Sequence, residues 1–319
     1  MSDGRIVAPV EEVPGKRPDY DLWVARHFLT GEELTSDELA QILERAAALK
    51  RDRFASNALD RRTVALVFEK PSTRTRVSME VAVTQLGGSA IVLREGEMQL
   101  SRGESVRDTA MVLSRYVDAI AVRTGPHELL EDLAAHSGVP VINLLTAMHH
   151  PCQALADLLT LKERFGELDG LRLAYTGDGN NVAHSLMLLG AKAGVHVAVA
   201  TPPDLRPDAD VTARLDGAVT VTDDPVEAAS GAHALYTDVW VSMGDEETAA
   251  AKRAVLEPYR LDESLLAKAR DDAVALHCLP AHPGEEITAE VLYGDRSAVW
   301  DQAENRLHAQ KALLEFLLS

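Results

Sequence analysis

Residues 68–76 read Phe-Glu-Lys-Pro-Ser-Thr-Arg-Thr-Arg. Ser72, Thr73 and Thr75 offer hydroxyls and Arg74 a planar fork suited to phosphate oxygens. Pro71 can pre-set the chain ahead of a first helical turn, whose free N–H groups and dipole favour an anion. Residues two apart on a helix face different ways, so Arg74 and Arg76 do different work, and Arg74 is the phosphate candidate. This is no Walker loop, because the Gly-x4-Gly-Lys pattern is missing. A capped helix with solvated arginines is the plainer alternative. Five hydroxyl or guanidinium residues in a row, 72–76, weigh against it.

A second group is His150-Pro151-Cys152-Gln153, with Arg123 upstream of it. An imidazole and a guanidinium suit a carbonyl oxygen that gains negative charge in an acyl transfer. A glutamine carbonyl accepts from an amide NH2. His149, next to His150, has no such support. The third group is His277-Cys278-Leu279-Pro280 together with Asp238-Val-Trp-Val-Ser-Met-Gly244. Asp238 can pair with an ammonium, and Ser242 and the Met243 backbone can meet an amino-acid head group. Gly244 suits a hinge, so this loop is expected to close over a ligand. Gly177-Asp-Gly-Asn-Asn-Val182 lacks the third glycine of a dinucleotide fingerprint. The spacings of His149, His150 and Cys152, and of His277, Cys278 and His282, match no standard zinc site, and no metal is expected.

Together these motifs resemble the aspartate and ornithine carbamoyltransferases. Phe-Glu-Lys-x-Ser-Thr-Arg-Thr-Arg is similar to the family's phosphate motif. His150-Pro-Cys-Gln followed by Ala154-Leu-Ala-Asp157 is similar to His-Pro-x-Gln-x-Leu-Ala-Asp. His277-Cys-Leu-Pro280 and Asp238-x-Trp-x-Ser-Met-Gly244 resemble the ornithine branch. The resemblance runs from about Arg26 to the C-terminus. It implies transfer of the carbamoyl group of carbamoyl phosphate to the side-chain amine of L-ornithine, giving L-citrulline and phosphate, with no organic cofactor. It implies carbamoyl-phosphate contacts from Ser72, Thr73, Arg74, Thr75, Gln99, Arg123, His150, Gln153, Cys278, Leu279 and Arg306, with Arg123, His150 and Cys278 catalytic. Ornithine contacts would come from Asn181, Asp238, Ser242 and Met243, Asn181 holding the carboxylate. It also implies a homotrimer, or a multiple of trimers, with the loop around Gln99 reaching a neighbour's site. An amine of pKa about 10.4 is almost wholly protonated at pH 7, so the site must favour its neutral form. The resemblance gives Cys278 the proton-acceptor role. A free thiol of pKa about 8.5 would have to be perturbed for that, or act through Asp238. The released phosphate is a competing base.

Elements that could position these groups alternate along the chain. Strands are expected at 63–68, 91–93, 119–122, 141–143, 171–175, 196–200, 234–237 and 273–277. Helices are expected at 39–49, capped by Ser36, and at 77–86, 105–116, 128–136, 154–165, 182–193 and 305–318. This alternation predicts an α/β protein of two doubly wound domains, each a parallel sheet flanked by helices, joined by interdomain helices. Residues 1–20 read as a loose tail and 21–153 as a carbamoyl-phosphate domain completed by the helix 303–319. Residues 154–302 read as the ornithine domain. The motifs fall at the carboxyl ends of strands, where open α/β sheets bind ligands.

Composition narrows the classes. The 319 residues suit two domains, and 46% hydrophobic residues suffice for ordinary cores. With 50 acidic against 32 basic residues the net charge is −18, which repels nucleic-acid backbones. Two cysteines make no disulfide scaffold and fit a reducing compartment, so a cytoplasmic protein is expected. No run of about 18 apolar residues predicts a membrane span. Three competitors stand beside the leading reading: another acceptor such as aspartate, putrescine or N-acetylornithine, a nucleotide-dependent oxidoreductase, and an inactive binding homologue. Asp238 suits a cationic acceptor better than aspartate.

Overall fold

A computed structural model describes residues 25–99, 103–215, 217–241 and 249–319. The expected tail at 1–20 and the loop residues Ser242, Met243 and Gly244 lie outside the described residues, so the expected loop closure does too.

The first half runs α1 (Ser36–Arg51), β1 (Thr63–Phe68), α2 (Thr73–Gln85), β2 (Ser89–Arg94), α3 (Val106–Leu113), β3 (Ala119–Arg123), α4 (His127–His136) and β4 (Val141–Leu145). Its parallel sheet has the order β2-β1-β3-β4. The helix α5 (Pro151–Phe165) then leads to β5 (Arg172–Thr176), α6 (Asn181–Lys192), β6 (His196–Ala200), α7 (Ala209–Ala213), β7 (Val219–Thr222), α8 (Pro225–Ala229) and β8 (Ala234–Thr237). After these come α9 (Ala249–Leu256), α10 (Glu263–Leu266), β9 (Val274–His277), α11 (Ala289–Leu292) and α12 (Val299–Leu318). The second parallel sheet has the order β7-β6-β5-β8-β9.

The α/β, two-sheet architecture is the expected one. Central strands such as β1, β3 and β8 are buried along almost their whole length, as in a parallel sheet covered on both faces. One core continues from β1 and α2 through α5 and α6 to β5 and β9. The last helix, α12, returns to pack on α1, α2 and α5. Each sheet reverses its winding once, between β1 and β3 and between β5 and β8. A crevice opens at such switch points, at the carboxyl ends of the strands.

Several boundaries differ from the sequence reading. Thr35, not Ser36, caps α1: it accepts from Glu38 N–H while Glu38 reaches back to Thr35 N–H, a reciprocal capping box. The second helix starts at Thr73, not Val77, with Ser72 as its N-cap. The last starts at Val299, six residues before Asn305. β7 and the helices α7 to α11 were not expected, since four to eight residues are too few to show a period.

Candidate active site

The three sequence motifs lie at the carboxyl ends of strands in the two sheets. At the end of β1 the chain passes Glu69 and enters α2 at Ser72. The Ser72 hydroxyl makes no cap bond within its own helix. Thr73 and Arg74 are exposed at the first turn, and Thr75 is buried. A cavity of about 330 Å³ opens beside this turn, lined by Phe68, Pro71, Ser72, Thr73, Arg76 and Arg94 among others. Arg76 is turned to Glu80, 2.8 Å away, so the two arginines do separate jobs.

Arg123 ends β3. Glu69, which accepts from Thr124 hydroxyl and Gly125 N–H, ties the two strand ends together. Arg306 comes from α12, and its Nη2 donates to Thr75 Oγ1 at 2.9 Å. Arg74, Arg123 and Arg306 act on one another: burial first, then these like charges, bring Arg123 down to about 10. Arg306 is lowered too, burial again leading. Both stay charged at neutral pH. Three crowded guanidiniums favour an anion among them.

His150 is the residue before α5 and is buried. Burial, then Arg306 and Arg123, hold its pKa well below the usual histidine range, so the ring is neutral. Gln153 lies one turn further on. Its Nε2 donates to Asp157 Oδ1 at 2.8 Å, which turns its carbonyl oxygen the other way. Four buried atoms here have no hydrogen-bond partner among the described residues: Arg123 Nε, Arg306 Nε, His150 Nδ1 and Gln153 Oε1. Buried polar atoms are nearly always satisfied, so these four are candidate contacts for a ligand.

The opposite wall comes from the second sheet. Cys278 follows β9, and its Sγ donates to Asp238 Oδ1 at 2.7 Å. Burial first, and then Asp238, raise the Cys278 pKa well above the thiol range. Asn180 Nδ2 donates to Asp238 Oδ2 at 2.8 Å. The Asn180 side-chain oxygen caps α6 by accepting from Val182 and Ala183 N–H. The turn before it is tight: a Cβ on Gly179 would lie 2.4 Å from Pro207 N. Asn181 Nδ2 donates to Thr146 O at 2.6 Å. Leu279 adopts φ +57, a conformation few side-chain-bearing residues take. Its N–H donates to His277 Nδ1, which leaves His277 Nε2 to donate to Glu286 Oε1.

Hydrogen bonds and mutual electrostatics link Arg74, Thr75, Arg123, His150, Gln153, Asp157, Asp238, Cys278 and Arg306. Ser72 and Thr73 stand at the same first turn of α2, Asn181 binds the turn before His150, and Leu279 follows Cys278. Gln99 is exposed after β2, and among the described residues nothing ties its side chain to this group. The sequence reading missed Asn180 as the anchor of Asp238, though an asparagine before an apolar helix is a cap signal. It also missed Asp157 as the holder of Gln153. Asp157 Oδ1 additionally accepts from Gln302 Nε2 at 2.7 Å, and Gln302 Oε1 accepts from His277 N–H at 2.9 Å. Burial pushes Asp157 up to about 7.

Comparison with known proteins gives the following. Residues 26–163 match the family described as the aspartate/ornithine carbamoyltransferase carbamoyl-P binding domain, and residues 169–317 match the corresponding Asp/Orn binding domain. The chain is 58% identical over 301 residues to an ornithine carbamoyltransferase of Acidothermus cellulolyticus, covering 92% of this chain and 96% of that protein. It is 50% identical over 306 residues to one from Hyperthermus butylicus, covering 92% and 98%. Among solved structures, that of Pyrococcus furiosus ornithine carbamoyltransferase superposes with a TM-score of 0.87 at 47% identity, covering 91% of this chain and 96% of that one. The Thermus thermophilus enzyme gives 0.86 at 46% identity, covering 92% and 99%.

Proposed function

The chain belongs to the aspartate/ornithine carbamoyltransferase family, and we propose that its cleft works as follows in carbamoyl transfer from carbamoyl phosphate to L-ornithine. The observation that carries the reading is the set of unpartnered buried atoms. Arg123 and Arg306 offer donors, His150 a neutral imidazole and Gln153 an acceptor, and both arginines interact electrostatically with Cys278, which is bonded to Asp238. Carbamoyl phosphate has the complementary pattern: a phosphate and a carbonyl oxygen to receive, and an NH2 to give.

Ser72, Thr73, Arg74, Thr75 and Arg306 hold the phosphate at the α2 N-terminus. Arg123 and His150 donate to the carbamoyl oxygen as it becomes negative. Gln153 Oε1 takes the carbamoyl NH2, fixed in that sense by Asp157. Leu279 adds a backbone contact, its strained φ holding the carbonyl at the site. Asn181 takes the carboxylate of ornithine, with Ser242 and Met243 at its head group, and Asp238 faces the side-chain ammonium. The ammonium, paired with Asp238 on binding, gives one proton to solvent before attack. The amine nitrogen bonds to the carbamoyl carbon, the bond from that carbon to the phosphate oxygen breaks, and the second amine proton leaves with phosphate. Cys278 keeps its proton and orients Asp238; it is not the base. The reaction needs no metal or organic cofactor in this scheme.

Residues 21–153 with the helix 303–319 form the carbamoyl-phosphate domain, and 154–302 the ornithine domain. The packing of α12 on α1 and α2 supports that division. The assembly is a homotrimer or a multiple of it, with Gln99 acting in a neighbour's site. Val77, Ile91, Met111 and Tyr116, apolar yet 43–75% exposed in one protomer, support this. A cytoplasmic role in arginine biosynthesis, or in urea-cycle-type metabolism, completes the reading. Both cysteines are free, and no helix among the described residues is long and apolar enough to cross a membrane. Citrulline formation from carbamoyl phosphate with ornithine, against putrescine, N-acetylornithine and aspartate, tests the function. Activity with another amine and none with ornithine would overturn the acceptor.

A further inference from the structure

Asn181, His184 and Ser185 stand at positions i, i+3 and i+4 of α6, one face of the helix. All three bind the backbone of the turn that carries His150, on the other domain's strand β4. Asn181 Nδ2 donates to Thr146 O at 2.6 Å. His184 Nδ1 lies 2.9 Å from Met148 O. Ser185 Oγ accepts from His150 N–H at 2.7 Å. The His184 tautomer follows from its partners: a carbonyl only accepts, so Nδ1 carries the proton. Nε2 then accepts from Asp208 N–H at 2.9 Å. The turn is braced from its own side as well. Thr146 N–H donates to His149 O, and Thr146 Oγ1 accepts from His149 N–H and meets His127 Nδ1.

We propose that this face of α6 is a clamp that sets His150 for the reaction, with His184 and Ser185 as positioning residues. The argument is geometric. His150 has φ −134 and ψ 60, outside helical and strand values, and no side-chain cap bond holds it. Its backbone N–H is buried at the start of α5, where an unpaired donor is costly. Ser185 satisfies it and thereby fixes the ring over the carbamoyl end. Asn181 belongs both to the clamp and to the acceptor site, so the carbamoyl turn and the ornithine carboxylate share one helix turn. The inference rests on the roles given to His150 and Asn181 above.

The test is steady-state kinetics of the full-length protein, first with the wild type. Citrulline formation by the wild type upholds the site reading; its failure sinks that reading before the clamp is reached. Ser185→Ala, which removes one oxygen from a buried position, is expected to lower kcat about tenfold or more, the usual effect of losing a supporting hydrogen bond behind a reactive group. KM for ornithine is expected to stay within about threefold, because the lost interaction acts in the transition state. His184→Asn keeps a donor at the Nδ1 position and is expected to recover kcat relative to His184→Ala. Unchanged kcat in Ser185→Ala, a rise in KM alone, or equal kcat in the two His184 variants overturns the clamp.

Discussion

The Cys278 thiol lies 2.7 Å from the Asp238 carboxylate and donates to it. Burial and that carboxylate raise the thiol pKa far above neutrality, so Cys278 carries a proton throughout the working range. A serine in its place keeps a donor toward Asp238, whereas alanine does not. Cys278→Ser is therefore expected to retain activity within about tenfold of the wild type, and Cys278→Ala to lose about a hundredfold in kcat, since a hydrogen bond to a charged group contributes up to about 3 kcal/mol. The acidic limb of the pH–rate profile should not move in Cys278→Ser. Thiolate absorbance near 240 nm appearing below pH 8 in the wild type would contradict this assignment.

Asp157 offers a pH-dependent stability test. Its carboxyl is pushed by burial up to about 7 in the fold, from an ordinary value of 3.8. The folded state therefore binds more protons than the unfolded chain between those values. Stability from this group is fully present below pH 3.8 and is lost as pH rises toward 7. Asp157→Asn removes the titration. The stability of the wild type relative to Asp157→Asn is expected to fall by about 3 kcal/mol between pH 5 and pH 8, at about 1.4 kcal/mol per unit up to the folded pKa. Urea unfolding at the two pH values measures it, and a constant difference refutes it.

How much of this could be read from the sequence depends on separation along the chain. The α2 entry is local: Ser72 to Arg76 are five consecutive residues, and their chemistry shows in their order. The partnership of Gln153 with Asp157 is also local, one helical turn. The Gln302–Asp157 bond joins residues 145 apart, and the Asn180–Asp238 bond residues 58 apart. Neither leaves a mark in composition or period, because only the folding of α12 and β8 brings them together. Ser36 alone is the cap expected for α1 from the sequence, and Thr35 takes that place. The decision came from Glu38, placed to complete the box with Thr35 alone. β7 was missed because Val-Thr-Val-Thr is half-buried and brief.

The crowded guanidiniums predict that phosphate stabilises the protein. Arg123 and Arg306 are buried among like charges and drawn down in pKa, so a bound dianion relieves their repulsion. Inorganic phosphate at about a hundred times its Kd is expected to add about 2.7 kcal/mol to unfolding. That is a rise of several degrees in Tm. Arg74→Ala, at an exposed position, should fold normally and abolish most of the rise. An equal rise with sulfate-free chloride at matched ionic strength, or in Arg74→Ala, would locate the effect elsewhere.

Asp238 separates acceptors by charge. It is 6% exposed, held by Asn180 on one oxygen and Cys278 on the other. Both donors fix the carboxylate plane rather than neutralise it. Asp238→Asn keeps the shape but removes the charge that meets the ornithine ammonium. Losing one partner of a desolvated charge pair costs on the order of 2–5 kcal/mol, so kcat/KM for ornithine is expected to drop at least about thirtyfold. Carbamoyl-phosphate binding should change little, because Arg74, Thr75 and Arg306 lie on the other wall. Isothermal titration with inorganic phosphate, beside ornithine kinetics in the same variant, checks both halves. A variant that loses phosphate binding as strongly as ornithine turnover would show that Asp238 acts by holding the cleft together, not by meeting the amine.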